Sequence, residues 1–422
     1  MKLPTNSELM KSGFLYGKKN SFANGNPETE WLRTNPDFLV FNPQKPHEGS
    51  NEHFLVFDID GQEGYFALWT QDCIEGGGES RICFARSNES GTIWSKPTIL
   101  AGKLPDNDNL QAKWQFPLIS KSGRIYVLYH EQVNVKNKNP YIFGRVKGIY
   151  SDDYGKTWSK SRVVNWHKTR FDDSDKEVPT SDIICQKPLR FSDDKYYVGY
   201  TKFTSLAVEK EEDFIGHPQN IPESHCFFMR FENIDENPDI EDIKITWLPD
   251  NDNGLAVPYN KTYSNAEEAC LVELPDKRLY CSMRCVSGAV YYSVSSDRGH
   301  TWTMPKPLCF SDGSKFIHPL SPAMIYDLKD GRYMQMYHGT TFEGEDIYGS
   351  RHPLRCAFGT FAPNEEQPIK FEKSQLFMDL DNVMVGPRKF PELSMYSSFT
   401  CKNGQRILWY PDRKYYLLGK II

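Results

Sequence analysis

From residue 54 onward the chain is written in short apolar runs separated by turn residues. Phe54-Leu55-Val56-Phe57 is followed by Asp58-Ile59-Asp60-Gly61 and then by Tyr65-Phe66-Ala67-Leu68-Trp69. Runs of this length, rich in aromatic and β-branched residues and bounded by Asp, Asn, Ser and Gly, predict strands joined by tight turns. The grammar returns at 116–119 and 125–129, at 183–189 and 196–200, at 269–274 and 279–283, at 323–328 and 333–337, and at 395–400 and 407–410. Amphipathic helical spacing is almost absent. Residues 1–50 lack this periodicity and read as an irregular lead-in that wraps or closes the domain, with one strand among them; residues 51–422 read as a single repeated β domain.

A second signal fixes the unit. Ser151-Asp152-Asp153-Tyr154-Gly155-Lys156-Thr157-Trp158 and Ser295-Ser296-Asp297-Arg298-Gly299-His300-Thr301-Trp302 share the pattern S-x-D-x-G-x-T-W, and Ser87-Asn88-Glu89-Ser90-Gly91-Thr92-Ile93-Trp94 is a worn copy. The acidic side chain accepts backbone N–H groups within the turn, Gly takes the φ > 0 position, and the Trp is expected to pack back under its own hairpin. Three copies in the same strand context mark a repeated β unit. Six units of about four strands predict an all-β fold, a six-bladed β-propeller with four-stranded antiparallel blades, whose repeats close so that no sheet edge is left unpaired.

Composition narrows the function. The chain has 422 residues, 14% aromatic, and a formal net charge of −6. No basic stripe is present, which argues against a nucleic-acid partner. The mildly basic C-terminal positions Lys402, Arg406, Arg413, Lys414 and Lys420 read as solvated strand positions. No apolar run approaches the roughly 20 residues of a membrane span, and the N-terminus has no apolar secretory core. The expected location is cytoplasmic as written, or periplasmic or secreted if a signal has been removed. The ten cysteines are scattered without zinc spacing and read as buried free thiols; Cys270 and Cys281, on consecutive strands, leave one disulfide open.

The boxes and strand grammar together resemble the sialidase superfamily over residues 50–422. The resemblance implies inner-strand anchors in a fixed order. Glu268-Ala269-Cys270-Leu271-Val272-Glu273-Leu274 with Arg284 is similar to the family's Glu and Arg segment. Arg351-His352-Pro353-Leu354 is similar to a second Arg segment, with Arg355 a rival. Tyr396-Ser397-Ser398-Phe399 followed by Asn403-Gly404 is similar to the nucleophile segment. It implies a retaining exo-glycoside hydrolase that removes a terminal acidic, sialic-acid-like sugar from glycans: Tyr396 the nucleophile, Glu268 its base, Arg284 and Arg351 a carboxylate clamp. A neutral Tyr attacks a carbon bearing a carboxylate without the repulsion an anionic nucleophile would meet. No metal or organic cofactor is implied, and the partner is a glycan or oligosaccharide.

Two positions depart from the family. His53 stands where its first-blade Arg is expected, and the loop Asp72-Cys73-Ile74-Glu75-Gly76-Gly77-Gly78-Glu79 replaces the segment that carries its acid. Glu75 is favoured as the acid, ahead of Glu79 and Asp72. His130, Gln115, Lys187 and His338, at strand ends or breaks, are further candidates for lining the substrate funnel. Trp69 and Trp114 are candidates for stacking on a sugar, with core packing favoured. Glu343, Glu345 and Asp346 read as a solvated acidic rim. The alternatives are a propeller glycosidase or polysaccharide lyase of other specificity, rhamnosidase- or ulvan-lyase-like with His and Tyr chemistry, in which His53, His130 and His338 matter more, and a non-catalytic glycan-binding propeller.

Overall fold

The computed structural model describes residues 30–104, 109–133, 144–205, 207–208, 223–258, 264–340 and 349–422. The acidic rim of Glu343, Glu345 and Asp346 lies outside them. Within them the chain forms six antiparallel sheets in sequence order, a six-bladed β-propeller. The first blade runs through Ser50–Phe57, Phe66–Asp72, Arg81–Arg86 and Thr98–Gly102. The second runs through Ala112–Ile119, Ile125–Gln132, Gly144–Ser151 and Arg162–Val163. The fourth uses Glu267–Glu273, Leu279–Arg284, Tyr291–Ser295 and Lys306–Pro307, and the fifth Ile325–Asp327, Arg332–Tyr337, Leu354–Phe361 and Ile369–Phe371.

Two blades are built differently from the other four. In the third, the strand expected over 183–189 is split into Asp182–Ile183 and Leu189–Arg190, both paired with Tyr196–Phe203. Pro188 offers no N–H to that ladder, and the break carries Lys187. In the sixth, Phe399–Lys402, Gln405–Asp412 and Tyr416–Ile421 are completed by Phe38–Phe41, which pairs with the C-terminal strand. Its first hairpin turns on Asn403 and Gly404, with φ 51 and 77, between the facing residues Lys402 and Gln405. That is the two-residue turn an Asn-Gly pair favours. Tyr396, expected inside the strand over 395–400, precedes it in an irregular segment.

The boxes behave as turns with one correction. Asp297 Oδ1 accepts the Thr301 N–H at 2.9 Å, and Oδ2 accepts the Thr301 hydroxyl at 2.6 Å; Asp153 does the same with Thr157. In the worn copy the acceptor moves back one residue, so that Asn88 Oδ1, and not Glu89, takes the N–H groups of Thr92 and Ile93, each at 3.0 Å. The indole N–H of Trp302 donates to the Gly299 carbonyl of its own turn at 3.0 Å. Its ring, held against its own turn, also stacks on Phe228 of the preceding blade, with centroids 4.4 Å apart. Trp94 bonds to Gly91 in the same way and packs edge-on to Trp409 of the sixth blade at 5.8 Å. The Trp is therefore an inter-blade contact.

By contact density the described residues fall into two compact units. The first comprises the described residues within Met1–Gln115, Arg351–Leu354 and Leu376–Ile422, and the second those within Phe116–Ser350 and Arg355–Gln375. The first has a core around Trp69, Trp94 and Trp409; the second has one around Phe228, Leu248, Leu271 and Met283. All ten cysteines are free, Cys270 and Cys281 included. Among the described residues no helix is long and apolar enough to cross a membrane.

Candidate functional site

Three of the singled-out residues share one backbone device. His53, Trp114 and Glu268 sit near the start of the first strand of their blades with φ of 49, 53 and 52. Non-glycine residues adopt this left-handed region at a cost, and such positions collect at functional sites. The strand register slips there, from Glu52 opposite Thr70 to Leu55 opposite Leu68, and from Glu267 opposite Arg284 to Cys270 opposite Ser282. A threonine on the second strand of the preceding blade secures two of the bulges. Thr70 Oγ1 accepts the Trp114 N–H at 3.3 Å, and Thr201 Oγ1 accepts the Glu268 N–H at 2.8 Å.

In the first unit these bulges open onto a dense set of charges. Arg351 Nη1 donates to Glu392 Oε1 at 2.6 Å and to Ser394 Oγ at 3.2 Å. Arg388 Nη1 is 3.0 Å from Glu392 Oε2 and pairs closely with Glu75. Lys414 Nζ lies 2.7 Å from Glu75 Oε1, 3.5 Å from Glu392 Oε1 and 3.9 Å from Glu52 Oε2. The backbone locks the ligature: Leu393 N–H donates to Arg351 O, Arg413 N–H to Glu392 O, and Asn51 N–H to Lys414 O at 3.0, 2.7 and 2.6 Å. Tyr396 is buried beside His53, ring centroids 5.2 Å apart, and the Trp114 ring lies edge-on to the same imidazole at 6.3 Å. Lys113 Nζ lies 5.7 Å from the Trp114 ring centre.

The carboxyls of this set divide sharply. Loss of hydration pulls Glu75 up, but Lys414 and then Arg388 outweigh it and hold the carboxyl down at about 2. Glu392 is held well below the usual carboxylate range: burial opposes ionisation, and Lys414, Arg351 and Arg388 overcome it. Glu52 goes the other way. Burial first, and the neighbouring Glu75 charge second, push it up to about 7. Burial lowers the Lys113 ammonium, with Glu52 and Asp72 opposing.

This arrangement corrects several expectations. Glu75, expected as the acid, is an ionised partner of two cations and has no proton to give near neutrality. Asp72 is buried and ties the loop: its oxygens accept the Cys73 N–H at 2.7 Å and the Ser80 hydroxyl at 2.6 Å. Glu79 is half-buried at the end of that loop. Arg413 and Lys414 are not solvated strand positions; they are 1% and 5% exposed, and Arg413 Nη1 pairs with Asp412 at 2.7 Å. Gln115 is fully buried, donating to the His53 carbonyl at 2.7 Å and accepting from the Thr70 hydroxyl at 2.8 Å, so its amide is already engaged by the protein. Trp69 belongs to the core and Trp114 is half-buried beside His53.

In the second unit Glu268 and Arg284 lie 3.5 Å apart, but Glu267 is the closer partner. Its Oε2 accepts both Arg284 Nε and Nη2, at 2.9 and 2.5 Å. Burial works against the Arg284 charge, and Glu268 and Glu267 outweigh it. Glu267 also accepts from Asn265 Nδ2 at 2.9 Å. The guanidinium expected to clamp a substrate is thus already paired within the protein. His130 is buried beside Trp166, and burial, with Lys202 behind it, pushes it down to about 3, so it is neutral. His338 is fully buried, stacked on His318 at 5.5 Å.

Sequence reasoning missed Glu52, Arg388, Glu392 and Glu267, and misread Lys414. One signal was present. Asn51-Glu52-His53 and Asn265-Ala266-Glu267-Glu268 open two blades alike, with a Glu before the left-handed residue.

The BNR repeat-like domain family matches residues 64–375, and the chain belongs to that family, within the sialidase-like BNR propeller superfamily. Among solved structures it is similar to a protein of unknown function from Dyadobacter fermentans, with 11% identity, a TM-score of 0.59, and coverage of 92% of this chain and 97% of that one. It is similar to the NanB sialidase from Streptococcus pneumoniae, with 12% identity, a TM-score of 0.57, and coverage of 92% and 70%. It is also similar to the intramolecular trans-sialidase from Ruminococcus gnavus, with 12% identity, a TM-score of 0.56, and coverage of 91% and 96%. No curated protein matches the chain.

Proposed function

We propose that the protein is a glycoside hydrolase acting on a terminal acidic sugar, with Tyr396 as nucleophile and the charge set of the first unit as the site that receives the sugar's carboxylate. The observation that carries this reading is the charge balance of the set that reaches Tyr396 through Arg388. With Glu52 protonated, Lys113, Arg351, Arg388 and Lys414 outnumber Asp72, Glu75 and Glu392. A buried cationic excess favours an anionic ligand. His53, in place of the family's Arg, packs its ring on Tyr396 and can orient that phenol, whereas the cationic role falls to Lys414 and Arg388. Support also comes from the neighbours, two of which are a sialidase and a trans-sialidase. The resemblance assigns Glu268 as the base for Tyr396.

The test is a panel of chromogenic sialosides and uronides. Wild-type protein should turn over at least one, and Tyr396→Phe should lose turnover while retaining binding of the product sugar. Glu268→Gln should lose turnover as well if it serves Tyr396. Full activity in Tyr396→Phe would remove the assignment.

The contact between His53 and Tyr396 favours one second reading, a polysaccharide lyase in which these two groups handle the proton beside a uronate carboxylate. A uronide substrate then gives an unsaturated product that absorbs in the ultraviolet, with no uptake of water. Binding of acidic glycans with no turnover on any substrate would instead mark a non-catalytic module.

A further inference from the structure

We infer that Glu52 is the proton donor to the leaving group, an inference that rests on the glycosidase reading above. It lies on Ser50–Phe57, one residue before the left-handed bulge at His53, the imidazole of which contacts Tyr396. Of the three glutamates Glu52, Glu75 and Glu392 it is the one that no cation grips closely. Ser50 Oγ donates to its Oε1 at 2.8 Å, and its Oε2 is 3.9 Å from Lys414 Nζ. Lys414 is instead taken by Glu75 at 2.7 Å.

The groups that face Glu52 set its proton. Lys414, Arg388 and Lys113 favour ionisation. Burial and the charge of Glu75 oppose it, and they prevail, so the carboxyl is lifted to about 7. Glu392 helps indirectly, because it draws on the same Lys414 and Arg388. A carboxylic acid poised near neutrality can both give and retake a proton. Glu75 is then a positioning residue: its negative charge keeps Glu52 protonated while it holds Lys414 away.

The chemistry balances. Tyr396 Oη forms a bond to the anomeric carbon as the glycosidic C–O bond breaks. The Glu52 proton passes to the departing oxygen, and the phenolic proton passes to the base. Water then attacks the anomeric carbon and gives its proton to Glu52, while the Tyr396–carbon bond breaks and the phenol recovers its proton from the base. Glu52 begins and ends protonated.

The experiment uses the substrate that wild-type protein turns over, in two forms: a nitrophenyl glycoside and an alkyl glycoside with a poorer leaving group. Glu52→Gln should lose more than about 100-fold in kcat on the alkyl glycoside and much less on the nitrophenyl one, which needs little protonation. Glu75→Gln should move the alkaline limb of the kcat/KM profile to lower pH, because Glu52 gives up its proton more readily once the neighbouring charge is gone. A merely structural role for Glu75 would lower activity without moving that limb. Carboxyl carbon-13 titration of glutamate-labelled protein reads the same group without substrate: one resonance should titrate near neutrality and disappear in Glu52→Gln. An unchanged alkyl-glycoside rate in Glu52→Gln, or a Glu52 carboxyl that titrates in the ordinary range, overturns the inference while leaving the glycosidase reading standing. Wild-type protein inert on every glycoside overturns that reading, and the Glu52 role with it.

Discussion

Glu52 and Asp412 are buried carboxyls whose folded forms hold a proton more tightly than free side chains do, at about 7 and about 6. Burial is the leading cause in both, and at Asp412 even the Arg413 guanidinium at 2.7 Å does not overcome it. The sign of the linkage follows. A raised carboxyl contributes stability that is fully present below its unfolded value and is lost as pH rises through its folded value. For Glu52 that window runs from its ordinary 4.5 to about 7. Glu75 has the opposite sign, its contribution fading as pH falls from 4.5 toward about 2, but its side chain is 38% exposed and solvent screens the effect. Glu52→Gln should therefore gain urea resistance relative to wild type at about pH 8 and show little gain at about pH 5. An equal change at both would mean that Glu52 carries the same charge throughout. None of this was legible in the sequence. Glu52, Arg388, Glu392 and Lys414 are each ordinary surface residue types, and what gathers them into one cluster is tertiary proximity between segments more than 300 positions apart in number, such as Glu52 and Lys414. The one local trace is the echo between Asn51-Glu52 and Asn265-Ala266-Glu267 at the openings of two blades.

At the level of elements the sequence was far more informative, because a strand or turn is encoded by adjacent residues. The Asn403-Gly404 hairpin, the Asp boxes and the blade count are all local patterns. What failed was anything that depended on a neighbour. The broken strand around Pro188 needed knowledge of which ladder it would join, and the box tryptophans, each bonded to its own turn, also brace the preceding blade. That second contact makes a distinction between the copies. Trp94 is 1% exposed, wedged against Trp409 in the core of the first unit. Trp302 is half-buried and stacks on Phe228. Trp94→Ala should cost about 3–5 kcal/mol, the range for a fully buried aromatic, and Trp302→Ala clearly less. Chemical denaturation of the two variants checks the order. Equal costs would show that the wider turn, and not the inter-blade ring contact, governs stability.

For the molecule as a whole, the repeat solves a problem that every antiparallel sheet poses. An unpaired outer strand is a template for another chain, and the sixth blade has only three strands from the C-terminal stretch. Phe38–Phe41 supplies the fourth, with Phe38 opposite Gly419 and Leu39 opposite Leu418. The fit is close. Phe38 lies 5.3 Å from the Trp409 ring, and a Cβ at Gly419 would meet that same ring at 2.6 Å, so only glycine lets the two strands and the indole share the space. Trp409 in turn meets Tyr65 and Trp94 of the first blade, so the closing strand supports the sheet that carries Glu52. Phe38→Ala should cost about 3–5 kcal/mol. Removal of residues through 41 should do more: it strips the ladder from Tyr416–Ile421, exposes Trp409, and is expected to yield aggregated or unfolded protein instead of a slightly weakened one. Gly419→Ala tests the same seam from the other side without creating an edge, and should destabilise the fold while leaving the protein dispersed. If the truncated chain kept wild-type solubility and denaturation midpoint, the N-terminal strand would be an ornament on the sixth blade and closure would have to come from elsewhere.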